Sequence, residues 1–223
     1  SMFIKMVSGF GGSNAALLFK KNDDETLRFS DSQILRFSDF QTVIYGKLKD
    51  NILYINDVKY ELEDISGNIL DGFYRKEKIS YPKFFKMDNL SKAGFLVSEL
   101  MLREAGFDIE TPKKDMAILL CNRSSSSDDD LLYLQSIKDK DNYFPSPSVF
   151  VYTLPNIVAG EMAIRNKIFG ETSFYVSEKY SKEMMLRQVN NVLSNQSVNY
   201  VLFGWVEALQ GNYEVELTLV KKY

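Results

Sequence analysis

Apolar runs and alternation divide the chain into segments before any residue stands out by its chemistry. Phe3-Ile4-Lys5-Met6-Val7 and Ala15-Ala16-Leu17-Leu18-Phe19 flank Gly9-Phe10-Gly11-Gly12, which predicts a hairpin over residues 2–21. Residues 22–41 are polar and read as a connector. They hold a near-repeat, Leu27–Gln33 and Leu35–Gln41, but two copies are too few for a solenoid. Thr42-Val43-Ile44-Tyr45 and Ile52-Leu53-Tyr54-Ile55 flank Asp50-Asn51, a second hairpin turn. After a loop through Pro82, Leu90, Ala93, Leu96, Val97, Leu100 and Met101 recur at helical spacing, which predicts a helix from Asn89 to Ala105, stopped by Gly106.

Met116-Ala117-Ile118-Leu119-Leu120-Cys121 is a continuous apolar run, the mark of a strand covered on both faces. The polar loop Ser124–Asp130 follows, its aspartates placed to cap a short helix of Leu131, Leu132, Leu134 and Ile137. Asn156 is the expected N-cap of a helix through Ile168. Ser173–Ser177 reads as a strand, Ser181–Leu193 as a helix and Val198–Gly204 as a central strand. Tyr213, Val215, Leu217 and Leu219 alternate with polar residues, which predicts a strand with one wetter face. From residue 52 the order is strand, helix, strand, helix, helix, strand, helix, strand, strand. That order predicts an α/β protein: a five-stranded, mixed, mostly parallel sheet with helices on both faces.

Composition narrows the chemistry. With 45% hydrophobic residues in 223 a full core can be buried, and a net charge of −3 gives no electrostatic reason to expect nucleic acid or an anionic membrane. No run of 18 apolar residues is present to span a bilayer, and the opening residues do not read as a signal peptide, so a cytoplasmic protein is expected. The sequence contains no histidine and one cysteine. Imidazole-dependent acid–base chemistry is thereby excluded, and no metal or other cofactor is expected. Cys121 closes an apolar strand and reads as a buried, inert thiol. Asp128-Asp129-Asp130 lacks the spacing of an ion site, and Gly9-Phe10-Gly11-Gly12 lacks the lysine and length of a phosphate-binding loop.

Four segments together resemble β-ketoacyl synthases, whose fold is thiolase-like. Lys86–Lys92, leading into a helix that ends Glu104-Ala105-Gly106, is similar to the family's first long helix. Tyr152–Asn156 with Gly160, Ala163 and Ile164 looks like the segment opening its next helix. Gly170 with Ser173–Lys179 sits where a strand enters the nucleophile turn, and Val201–Ala208 is similar to the strand that follows. A fifth segment, Ser8–Ala15, resembles a loop near the ketosynthase C-terminus, but here it stands first. The resemblance implies two domains: residues 2–50, a hairpin and connector like the family's C-terminal end, and residues 51–223, like its N-terminal half.

What the resemblance implies for function is mostly loss. The nucleophilic cysteine would fall at Lys179, preceded by Glu178, and lysine forms no thioester. Glu178-Lys179 is similar to the pair found at this turn in chain-length-factor subunits; read from the residues alone, both are solvated residues of a helix's first turn. Gly9, Phe10, Gly11 and Gly12 correspond to the family's oxyanion-type loop. Ser173, Phe174, Tyr175, Val176 and Ser177 correspond to the strand through which ketosynthases dimerise. The expected protein is a non-catalytic ketosynthase-like partner or scaffold in fatty-acid or polyketide-type biosynthesis. It would form a homodimer or pair with a competent ketosynthase, with an acyl carrier protein as a further partner. Residual acyl-thioester chemistry at Lys179 or Ser177, and a vestigial product of a rearranged gene, are the alternatives.

Overall fold

Strands joined by two-residue turns build one side of the sheet, and strands joined through helices build the other. A computed structural model describes residues 2–8, 14–20, 40–62, 67–141 and 143–223, the first two stretches as backbone only. The chain divides into two units, Ser1–Arg36 and Phe37–Tyr223. In the first, β1 (Met2–Ser8) pairs antiparallel with β2 (Asn14–Lys20), in register from Met2↔Lys20 to Ser8↔Asn14. This is the hairpin that the two apolar runs predict. Gly9, Phe10, Gly11 and Gly12, where the sequence predicts the turn, lie outside the described residues.

The second unit opens with the meander β3 (Phe40–Lys49), β4 (Ile52–Ile55) and β5 (Val58–Tyr60). It continues through α1 (Ile69–Lys76), a 3-10 turn (Pro82–Lys86), α2 (Asn89–Glu104), β6 (Met116–Asn122), α3 (Ser127–Ile137), α4 (Pro147–Tyr152) and α5 (Ile157–Asn166). It ends with β7 (Thr172–Val176), α6 (Lys182–Leu193), β8 (Tyr200–Leu209) and β9 (Asn212–Lys222). Asp50 and Asn51 sit at φ 50° and 64°, and Gln210 and Gly211 at φ 51° and 79°. Both pairs have the positive φ of the mirror-image turns whose twist suits a hairpin. Among the described residues the sheet has seven strands in the order β5-β4-β3-β9-β8-β6-β7.

Two expectations change here. The sheet is mixed rather than mostly parallel: β6 runs parallel to β7 and β8, and the four other neighbouring pairs are antiparallel. Seven strands replace five because β3 pairs along β9 and carries β4 and β5 with it by short turns. Residues 40–49 thus lie in the sheet of the second unit, with Ile44 and Leu48 in its core, and are not connector.

The two faces of the sheet bury different cores. Met116, Ile118, Leu120, Leu202, Val206, Leu217 and Leu219 point to one face, where α1, α2 and α5 pack. Ala117, Leu119, Cys121, Val201, Phe203 and Val220 point to the other, where α6 brings Met185, Val189, Val192 and Leu193. All seven residues of β6 are buried, as a strand covered on both sides requires. Helix α2 starts where Asp88 accepts hydrogen bonds from the backbone N–H groups of Leu90 (3.0 Å) and Ser91 (3.2 Å). It is buried from Leu90 to Leu102, because the sheet covers one side and α1 and α5 the other. The apolar stripe in its sequence marks only part of that burial. Its Glu99 holds Arg165 of α5 through two contacts, 2.6 and 2.9 Å, the bidentate geometry that fixes two helices in register.

Helix α5 ends at Asn166, two residues before the end that the pattern predicts. Lys167 turns left-handed at φ 52°, and the backbone then pairs with residue 113. The buried Lys113 ammonium holds this corner, donating to the carbonyls of Asp108, Thr111 and Asn166. Of the three, the Asn166 carbonyl at the C-terminus of α5 adds the negative end of a helix dipole. Burial pushes its pKa down, with the Lys167 charge adding to the effect and the Asp108 carboxylate opposing it.

Close approach of β9 to β8 depends on Gly204. At φ 153°, a Cβ there would lie 1.9 Å from the Glu216 carbonyl oxygen. Gly204→Ala is therefore expected to destabilise the protein by about 3 kcal/mol or more. Gly160, in α5 with open space around it, makes the contrast: Gly160→Ala should stabilise by about 0.5–1 kcal/mol. Thermal unfolding of the two variants beside the parent checks both signs.

Candidate functional site

Strands β6, β7 and β8 run parallel, so their carboxyl ends emerge on the same side of the sheet. In open α/β sheets that edge is where ligands collect. Beyond β7 the chain bends through Glu178 and Lys179 before Ser181 caps α6 by accepting from the Met184 N–H (3.3 Å). Both Glu178 and Lys179 are exposed. They stand three and two residues ahead of the helix cap, so neither sits in the first turn of α6, where the sequence places them.

A cavity of about 300 Å³ opens beside this bend. Its apolar wall is Tyr180 and Trp205, with ring centroids 5.9 Å apart. Glu207 of β8 also lines it and is only 7% exposed. One carboxylate oxygen, Oε2, accepts from the backbone N–H groups of Arg123 (2.9 Å) and Ser124 (3.2 Å), which locks the loop after β6 against β8. The other, Oε1, is buried and has no hydrogen-bond partner, and neither has the buried Tyr180 hydroxyl. Burial pushes the Tyr180 phenol above the usual tyrosine range, with the Glu216 carboxylate adding to the effect.

The thiol is elsewhere. Cys121 is fully buried on the α6 face, 3.5 Å from the Gly204 carbonyl oxygen, and desolvation pushes its pKa up to about 12. A thiol so held is protonated and out of reach of a substrate, which agrees with its reading as packing. The bend after β7 presents Lys179 beside Glu178. The expected dimer strand, Ser173–Ser177, is β7 with its flanks; β7 is the edge of the sheet and leaves Val176 59% exposed. Gly9, Phe10, Gly11 and Gly12 are outside the described residues. Among the described residues no cluster of acidic or sulfur ligands is arranged to hold a metal ion, and no helix is long and apolar enough to cross a membrane.

A second polar cluster went unseen in the sequence. A cavity of about 260 Å³ lies between the starts of α2 and α3 and is lined by Asp88, Asn89, Ser125, Ser126, Asp128 and Asp129. Asp128, Asp129 and Asp130 form the first turn of α3, not a loop ahead of it. Asp88 and Asp129 share a hydrogen bond. Burial, the Asp88 charge and the two flanking aspartates push Asp129 up to about 8, so Asp129 keeps the proton and donates to Asp88. Asp88, although also raised by burial, is held as the acceptor by its capping bonds to Ser91 and Leu90. No local pattern announces the pair, because the two residues are 41 apart in sequence and meet only through packing.

The sequence matches no protein-family model and no curated protein. Solved structures do resemble it. The ishigamide ketosynthase/chain length factor superposes with a TM-score of 0.60 at 16% identity, covering 82% of this chain and 62% of that chain. A ketosynthase in complex with its chain length factor from Xenorhabdus doucetiae gives a TM-score of 0.53 at 9% identity, covering 83% of this chain and 79% of that chain. A type II polyketide-synthase acyl-carrier protein in complex with its ketosynthase bound to the hexaketide gives 0.53 at 13%, covering 66% and 49%. The chain therefore spans less than two thirds of the first of these and about half of the third. Its fold is thiolase-like, of the ketosynthase kind. The recognition drawn from four short segments holds at the level of fold.

Protonation of Asp129 carries a sign that stability measurements read. Its folded-state pKa lies above the unfolded value of about 3.8, so the folded state binds the extra proton. Its contribution is fully present below about pH 4 and is lost as pH rises through about 8. Asp129→Asn removes that loss. The variant should gain stability over the parent between pH 5 and pH 9 by roughly 1–2 kcal/mol, after discounting for a half-exposed carboxyl. Urea unfolding at three pH values measures the difference.

Proposed function

We propose that the protein is a non-catalytic ketosynthase-like subunit that pairs with a competent ketosynthase in fatty-acid or polyketide-type biosynthesis. The observation that carries this reading is the bend after β7. By the resemblance to ketosynthases a nucleophile would fall at Lys179; Lys179 and Glu178 are exposed in that bend, while the single thiol is buried in the sheet. No histidine exists anywhere in the sequence to serve decarboxylation or condensation.

Two further features support pairing. The similar coverage of this chain (83%) and of its Xenorhabdus neighbour (79%) makes that chain comparable in length, so a short ketosynthase-fold chain has a precedent in a ketosynthase–chain length factor complex. In this unit β7 is an open edge with Val176 exposed. The half of the sheet face beyond α6 exposes Val43 and Tyr45 of β3. An unpaired edge and uncovered apolar side chains both favour association. An acyl carrier protein is the natural third component of such an assembly.

Light scattering at micromolar concentration, alone and with a ketosynthase from the same cells, tests the reading. A complex with the ketosynthase at one-to-one stoichiometry is expected. Val176→Lys, on the exposed side of the β7 edge, should weaken it by about tenfold or more without shifting Tm. A chain that stays monomeric alone and captures no ketosynthase from native extract contradicts it.

A further inference from the structure

Helices α3 and α4 differ from the other α-helices of the second unit: neither buries a single residue, although both carry leucine, valine or aromatic side chains. Leu131, Leu134, Phe144 and Phe150 are 55%, 52%, 74% and 42% exposed. Tyr133 meets Phe150 with ring centroids 5.3 Å apart, which ties α3 to α4 along its inner side. On that side Asp129, Tyr133 and Ser136 are partly covered, while Asp130, Leu131, Leu134, Gln135 and Lys138 are exposed. At about 3.6 residues per turn the exposed five fall on one face of α3.

Charge says what covers that face. Asp130, Leu134 and Lys138 stand four residues apart in a single row, the kind of ridge along which helices most often pack, crossing at about 50°. The other two aspartates of the first turn are engaged within the chain: Asp128 accepts from the Gln210 N–H at 2.7 Å, and Asp129 is bonded to Asp88. Beyond the helix, Asp139 accepts from the Asp141 N–H at 3.0 Å. Among the described residues neither Asp130 nor Lys138 takes part in a salt bridge. Opposite charges at equal distances from a central leucine make the row its own complement. A two-fold axis at Leu134 brings Asp130 to Lys138 of the partner subunit, and by symmetry does so twice. The same rotation sets the N-terminus of each α3 beside the C-terminus of the other, where the helix dipoles attract.

We propose that the exposed face of α3 is a self-association surface, on which a second copy of this chain lays its own α3 antiparallel along the row Asp130, Leu134 and Lys138. Burial of the leucines supplies the attraction, and the two symmetric ion pairs fix the direction. The pairing uses no residue of the β7 edge and does not rest on the ketosynthase reading. Two copies that each hold one ketosynthase would keep a one-to-one ratio.

Sedimentation velocity of the full chain alone, over a range of concentrations, tests the surface. A monomer–dimer equilibrium with a Kd on the order of tens of micromolar is expected, as suits an interface of one helix and its flanks. Asp130→Lys or Lys138→Asp alone should weaken it by about tenfold or more, because symmetry enters each like-charge contact twice. The two substitutions together should restore it to within about threefold of the parent. A merely structural role for the two charges would instead make the double variant the worst of the three, since both changes oppose the dipole of α3. If the reversals do not fold, Leu134→Gln keeps both charges and helix propensity and should also weaken pairing by about tenfold. A monomer at every concentration, folded variants that pair as the parent does, or a double variant no better than either single one overturns the surface. A chain that stays monomeric alone yet captures a ketosynthase sinks this inference and leaves the subunit reading standing.

Discussion

Strand β6 is the constraint on which the second unit depends. Buried at every position, it must be apolar toward both faces, and its alternate side chains belong to two separate cores. Met116, Ile118 and Leu120 seat α2 and α5, while Ala117, Leu119 and Cys121 seat α6. Parallel pairing to β7 and β8 then aligns three carboxyl ends. That alignment brings Arg123, Glu178 and Glu207 around one cavity although they lie in different parts of the chain. The cysteine belongs to this packing as well, which is why it is inert. A thiol beneath a sheet, with its pKa pushed up to about 12, is a core residue whatever its history.

The cover on the two faces is unequal, and this links fold to proposed function. One face carries α1, α2 and α5, tied by Glu99–Arg165 and by the buried Lys113. Among the described residues, the other carries α6 alone, over β6 and β8. Val43 and Tyr45 of β3 remain exposed beyond it. The hydrophobic effect makes such a surface costly to keep in water, so association is the physical expectation.

Much of the second unit was legible because its signals are local. Six consecutive apolar residues mark β6, the 3.6-residue stripe with Gly106 marks α2, and the alternation of residues 213–219 marks β9. The Asp50-Asn51 turn was legible for the same reason. The place of β3 beside β9 was not. The two strands are about 170 residues apart, and their pairing leaves no trace in either segment. Strand β5 has three residues, one of them a lysine, and α4 has six, too few to show a period. At the site, resemblance located the bend at Lys179 but not the cavity. One signal for it was present: Glu207 is the single charged residue in the run Val201–Ala208, and a lone charge in a buried strand must have a partner or a purpose.

The claim that this ketosynthase-type fold has no covalent acyl chemistry is open to one direct measurement. The purified chain is incubated with a malonyl- or acyl-thioester of a carrier protein, and its intact mass is recorded under native and denaturing conditions. An unmodified mass is expected, since Lys179 lies in an exposed bend and Cys121 is out of reach. Stoichiometric acylation at Lys179 or Cys121 would contradict it.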